Sequence, residues 1–325
     1  MKLYRRAALG GLVLSVAAVP LRAADDWRPS RSMTWIVPFP PGGSNDIFAR
    51  PVAAQVGQAL GQAVVVDNRA GAGGTLGGMI AARAAPDGCT LLVGNTGLTF
   101  ARIVYDEGGF DLSRDFAPVS LLARVPVALV VNPTTVQARD LSGFLAAARK
   151  AAGSVTIGSS GLGTIPHLAI ELLQQRTGIR FTHVPYRGGG QALQDVVSGT
   201  IDALITPLST VVSYVQSGRL RALAVASTNR QRILPELPTF AEAGLADFRV
   251  SSWYGLFAPK ATPVVPLDTL HVAVQSALAS AEVERIWAEQ GARVDLVSRL
   301  AFTAFVESET ERWSALAKTI GIPKD

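Results

Sequence analysis

The stretch WIVPFPPGGSNDIFAR, residues 35–50, begins as a strand and ends as a helix. An apolar run, Trp35 to Val37, gives way to a turn holding Pro38, Pro40, Pro41, Gly42 and Gly43. Ser44, Asn45 and Asp46 then lead into a helical pattern with Val52, Val56 and Leu60 on one face. The same unit recurs. AVVVDN precedes RAGAGGTLGG and the helical MIAARAA, and TLLVGN precedes TGLTFA. SVTIGSS leads into GLGTIPHLAIELLQQRTG, RFTHVPY into RGGGQALQDVVSG, and IDALITP into LSTVVSYVQSG. Strands alternating with helices of this length predict an α/β fold with mainly parallel sheets. Gly178, Gly199 and Gly218 stand where helices should end. Pro51 falls inside the first helical pattern, where it removes a backbone bond and crowds the carbonyl of Ile47, so a late start or a kink is expected there.

At 325 residues, 48% hydrophobic and 17% charged, the chain has apolar material for one large domain or two ordinary ones. Two irregular stretches interrupt the repeat. One contains a long strand, Leu121 to Val131; the other, rich in Pro and aromatics, runs from STNRQRILPELPTF to WYGLFAPKATPVVP. They bracket three strand–helix units. We therefore expect a second domain at 125–245, and a first, discontinuous domain made of 32–124 and 246–325, the latter ending in three helical patterns. Two connections between two domains make a hinge and a cleft.

The N-terminus reads as a secretory signal peptide over residues 1–23. Lys2, Arg5 and Arg6 precede the apolar AALGGLVLSVAAVP, and small residues at Ala23 and Ala24 mark the cut. The apolar run is shorter than the ~20 residues a membrane span prefers. Arg5-Arg6 leaves Sec and twin-arginine export both open. The segment carries four of the positive charges (Lys2, Arg5, Arg6, Arg22), so the formal +5 becomes +1 in the mature chain. With no Lys/Arg-rich run downstream, nucleic-acid binding is set aside. The single cysteine, Cys89, rules out an internal disulfide and reads as a buried, inert thiol. The mature protein is expected to be a soluble, periplasmic monomer.

In parallel α/β sheets, ligands sit beyond the carboxyl ends of the strands. Each loop above leaves a strand at that end and enters a helix, whose unpaired N–H groups and positive dipole end suit an anion. PPGGSND, RAGAGGTLGG, GSSGLGT and YRGGGQ therefore read as main-chain anion cradles. None is a phosphate loop: G-x-x-x-x-G-K-[ST] is missing, and GAGGTLGG carries Leu76 where G-x-G-x-x-G needs its third glycine. GSSGLG fails as a nucleophile elbow, because Leu162 replaces the second glycine of G-x-S-x-G. Of the three histidines, His167 stands either to contact a ligand or to close its helix start. His183 reads as a satisfied sheet residue and His271 as a helix-surface one. No metal-ligand spacing appears, and no cofactor is expected.

VPFPPGGSNDIFAR, LGQAVVVDNRAGAGGTLGG, APDGCTLLVGN, GSSGLGTIPHLAIELL, VPYRGGGQALQDVVSGTIDAL, LPTFAEAG and WYGLFAP together resemble the tripartite tricarboxylate transporter receptor family, also called Bug proteins, over nearly the whole mature chain. The resemblance implies a two-domain periplasmic-binding-protein fold, a type II-like Venus flytrap that closes on a small carboxylate. It also implies a partner, either a membrane permease or a sensor protein. No enzyme is expected, and the alternative to a receptor is an exported enzyme acting on a small organic acid in the same cleft. Matched residue by residue, the first domain would contact ligand through Phe39, Gly43, Ser44, Asn45, Asp46, Asn95 and Thr96. The second would use Ser159, Ser160, Gly161, Thr164, His167, Tyr186, Gly188, Gly189 and Asp202. Cys89 departs from the family in standing where an aromatic is usual. Arg69 and Arg187 flank the glycine loops and are expected to form surface or inter-loop pairs. Asp46 poses a puzzle, since a carboxylate beside a bound carboxylate would repel it.

Overall fold

The computed structural model describes residues 27–105, 110–293 and 295–321, so the signal segment lies outside the described residues. The first half opens with β1 (Met33–Val37), α1 (Ser44–Leu60), β2 (Val64–Asn68), α2 (Thr75–Ala82) and β3 (Thr90–Asn95). Two short turns of helix, α3 (Ala101–Val104) and α4 (Leu112–Asp115), lead to the long strand β4 (Phe116–Val131). The second half follows as α5 (Leu141–Lys150), β5 (Thr156–Ser159), α6 (Ile165–Thr177), β6 (Thr182–Pro185), α7 (Gly189–Ser198), β7 (Ala203–Pro207), α8 (Leu208–Gln216) and β8 (Arg221–Val225). The chain then returns through β9 (Ser251–Pro259) and ends in α9 (Val264–Leu278), α10 (Ala281–Glu289) and α11 (Arg299–Ile320).

The strands form one sheet in the order β2-β1-β3-β9-β4-β7-β5-β6, with β8 also on β4. Its flanks, β2·β1·β3 and β7·β5·β6, pair through parallel ladders. The centre is antiparallel, because β4 and β9 carry the chain from one half to the other and back. β4 changes partner along its length: Phe116 to Pro126 pair with β9, and Val127 to Val131 with β7 and β8. The two strand–helix halves are thus joined through the middle of one strand and through its returning neighbour.

Burial follows the sequence pattern. Phe48, Val52 and Val56 of α1, spaced by one helical turn, are fully buried, and Phe48 meets Tyr254 at 5.1 Å and Trp287 at 5.0 Å between ring centroids. Pro51 causes no late start: α1 runs unbroken from Ser44 to Leu60 with Pro51 inside it. α11 belongs to both halves. Phe302 and Val306 pack with Phe116 and Trp253, while Trp313 and Ala317 pack with Phe144, Leu168 and Phe240. Between them Glu309 is buried and accepts hydrogen bonds from the indoles of Trp253 (3.1 Å) and Trp313 (2.6 Å).

Candidate functional site

Between the halves lies a cavity of about 50 Å³, room for a few water-sized groups at roughly 10–15 Å³ each. The first half supplies Phe39, Pro40, Gly43, Ser44, Asn45, Asn95, Thr96 and Gly97, together with Ser252 and Tyr254 from β9. The second supplies Ser160, Thr164, Ile165, Pro166, Gly189, Gly190, Thr206, Pro207 and Thr210. A larger hollow, about 420 Å³, opens between the C-terminal ends of α6 and α11, but carbonyls rather than N–H groups end those helices.

Four helices, α1, α6, α7 and α8, begin on the cavity wall. Their N-caps are Gly43, Thr164, Gly188 and Pro207, and none uses a side chain to cap the first-turn N–H groups. By contrast, α5, α10 and α11 are capped by Asp140, Ser280 and Ser298. An uncapped start alone is not a site, since α9 begins uncapped after Pro263 elsewhere. It is the convergence of four that matters: their free donors and dipole ends create positive potential with no cation present. Among the described residues, no Arg, Lys, His, Asp or Glu lines the cavity.

Most of the polar side chains there are held by one another or by nearby backbone groups. Asn45 donates to the Val93 carbonyl (3.1 Å) and accepts from Asn95 (3.0 Å), whose own oxygen accepts the Gly97 N–H (2.9 Å). Thr96 accepts the Trp253 N–H at 2.8 Å, and Thr164 donates to the Gly161 carbonyl at 2.7 Å. Ser44 bridges the halves, its hydroxyl 2.9 Å from that of Ser209 and 3.1 Å from that of Thr210. Burial pushes the Tyr254 hydroxyl up to about 12 against hydrogen bonds with Ser44 and Ser252, so it stays protonated.

Of the residues matched to the family, Phe39, Gly43, Ser44, Asn45, Asn95, Thr96, Ser160, Thr164 and Gly189 share this wall. The others do not, and each has a reason. Asp46 turns away to Arg50 (2.7 and 2.9 Å) and Asn68 (3.1 Å), and reaches back to the Gly42 N–H (3.1 Å). Burial alone would raise its pKa, but Arg50, Gly42 and Asn68 outweigh that and hold it below the ordinary carboxylate value. Ser159 bonds His183 at 2.7 Å, and Gly161 donates to Ser159 at 3.1 Å. His167 stacks on His183 at 4.3 Å, and its Nδ1 accepts the Gly163 N–H at 3.3 Å. Burial, and then His183, lower His167 to about 3, while burial lowers His183 to about 4. Both rings are neutral, so the 3.7 Å approach of Glu171 to His167 is no ion pair. Tyr186 donates to Asp195 at 2.6 Å, and Asp202 accepts from the Thr156 N–H and hydroxyl, both at 2.8 Å. Gly188 presses on Pro40: a Cβ there would lie 2.8 Å from the proline ring. These residues shape and brace the loops behind the wall. Arg69 pairs with Asp67 at 2.9 Å, and Arg187 is exposed.

Sequence reasoning missed Pro40, Gly97, Ile165, Pro166, Gly190, Thr206, Pro207, Thr210, Ser252 and Tyr254. Thr206, Pro207 and Thr210 belong to the IDALITPLST unit, whose strand end also meets a helix start but which has no glycine run to single it out as an anion cradle. Ser252 and Tyr254 sit on an antiparallel return strand, where that rule is silent.

The model for the tripartite tricarboxylate transporter family receptor matches residues 48–322. The chain belongs to this family. A UPF0065 protein encoded in the tcbD-tcbE intergenic region of Pseudomonas sp. strain P51 is 41% identical to this receptor over 314 residues, covering 96% of this chain and 93% of the relative. A Rhodopseudomonas palustris protein solved with adipate is 34% identical with TM-score 0.88, covering 91% of this chain and 99% of that one. MatC from the same organism, solved with bound malate, is 33% identical with TM-score 0.84, covering 89% and 99%. The receptor thus has the periplasmic-binding-protein fold, and its relatives are solute-binding receptors rather than enzymes. Among the described residues, no helix is long and apolar enough to cross a membrane, and no side-chain cluster could hold a metal ion.

Proposed function

We propose that this receptor works in the periplasm. It closes its halves over a small organic acid and delivers it to a tripartite tricarboxylate-type permease. The convergence of four uncapped helix starts on a neutral, hydroxyl-lined cavity carries this reading. Backbone N–H groups suit a carboxylate, and the adipate and malate bound by structural relatives are carboxylates. β4 and β9 act as the hinge, and the ligand stabilises the closed form by touching both halves at once. The family-matched residues on the wall are its contacts; Asp46, Ser159, Gly161, His167, Tyr186, Gly188 and Asp202 position those contacts from behind.

Catalysis has no support in the site. The Ser159–His183 pair is hydrogen-bonded, but Ser159 is fully buried and off the cavity wall. A calorimetric and thermal-shift screen over C4–C6 dicarboxylates, citrate, amino acids and aromatic acids tests the proposal. At least one carboxylate should bind and be recovered unaltered. A screen in which only uncharged solutes bind, or in which a bound acid is turned over, sinks it.

A further inference from the structure

Thr206 is the penultimate residue of β7, where the strand outruns its neighbour: pairing with β5 stops at Leu204, while Thr206 still pairs with Ala128 of β4. Its hydroxyl is buried, 1% of the residue being exposed, and it has no hydrogen-bond partner. The other polar side chains on the wall are bonded to one another or to backbone groups or, like Ser160, are partly exposed. A strand threonine cannot return its hydroxyl to a carbonyl one turn back as a helical one does. Beside it stands Gly189, which carries no side chain: a Cβ there would lie in ordinary van der Waals contact, 3.7 Å from both the Thr206 hydroxyl oxygen and the Thr210 methyl. A residue of the cavity wall, between the starts of α7 and α8, thus carries an orphaned hydroxyl.

We propose that Thr206 determines ligand specificity by hydrogen-bonding a hydroxyl group of the ligand, so that a hydroxy acid is preferred to its deoxy counterpart. This rests on the carboxylate-receptor reading. The helix starts present donors only, which match a carboxylate's acceptors. Thr206 offers one donor and spare lone pairs, and a ligand hydroxyl can answer both. A ligand hydroxyl gains a hydrogen bond with a group that is otherwise unpaired, and a deoxy acid leaves that group as it was.

The test compares wild type, Thr206→Val and Thr206→Ser in calorimetry with acids differing by one hydroxyl: malate and succinate, lactate and propionate, citrate and tricarballylate. Wild type should favour the hydroxy member of a bound pair by about tenfold. Thr206→Val should weaken only that member and bring the ratio to within about twofold, and Thr206→Ser should keep the preference. Ligand-free Thr206→Val should melt no lower than wild type, since it removes a group that has no partner. Equal wild-type affinity within each pair overturns the proposal and leaves the receptor reading standing. So does equal weakening of both members by Thr206→Val, or a lower melting temperature of that variant without ligand. A wild type that binds none of these acids, nor any in the wider screen, overturns both.

Discussion

Asp46 shows how a carboxylate lives beside a site built for carboxylates. It occupies the third position of α1 and accepts the N–H of Gly42, one residue before the N-cap Gly43, while Arg50 one turn later neutralises it. Its partners, Gly42, Arg50 and Asn68, all belong to the turn and helix that carry Ser44 and Asn45 or to the neighbouring strand, and we propose that it fixes this turn rather than touching ligand. Asp46→Asn should cost about 1 kcal/mol in urea denaturation, a modest figure because Arg50 is half exposed to water. The same variant should leave ligand affinity in calorimetry within about twofold of wild type, since a 0.4 kcal/mol change is about a factor of two. A tenfold loss of affinity without a change in fold would mean that the carboxylate itself faces the ligand.

At the level of elements, the loops that meet across the cleft leave little clearance. Gly188, at the start of α7, has φ of 165°, extended backbone that any residue adopts, so alanine is tolerated conformationally. Its Cβ would nonetheless strike Pro40 of the opposite half. Gly188→Ala should leave the melting temperature of the ligand-free protein unchanged while lowering affinity about tenfold or more, the scale of a contact costing 1.4 kcal/mol or more. Small-angle scattering should show the variant failing to compact with saturating ligand; full compaction would disprove the clash. The strand-to-helix loops carrying these contacts were legible in the sequence because apolar runs, glycines and helix periodicity mark them locally. Which side chains turn inward was not. Asp46, Tyr186 and Asp202 look alike as polar residues near loops, and only the fold supplies Arg50, Asp195 and Thr156 to occupy them. Tyr254 reaches the cavity because β9 returns antiparallel between β3 and β4, a pairing across well over a hundred residues that no local pattern encodes.

For the whole molecule, the stacked His167–His183 pair makes stability depend on acid. Both rings are held neutral by burial, with folded pKa values of about 3 and about 4 against the ordinary 6.5. The unfolded chain therefore binds protons first as pH falls. The pair's contribution is complete above about pH 6.5 and is lost progressively towards pH 4 and then 3. Carboxylates held below their ordinary value, such as Asp46, act only below about pH 4, which leaves the upper window to the histidines. His183→Gln should flatten the fall in denaturation free energy between pH 6.5 and 4, whatever it does to stability at neutral pH. An unaltered slope would place the acid sensitivity elsewhere. The cavity itself behaves differently, because its wall carries no formal charge. Salt screens exposed charges over a Debye length of about 8 Å at 0.15 M, but enclosed backbone dipoles at contact distance are barely screened. Affinity should accordingly stay within about twofold from 0.05 to 0.5 M sodium chloride, where a surface-charge clamp would lose far more, and calorimetry across that range would expose one. A receptor built this way captures its solute as readily from brackish surroundings as from fresh water.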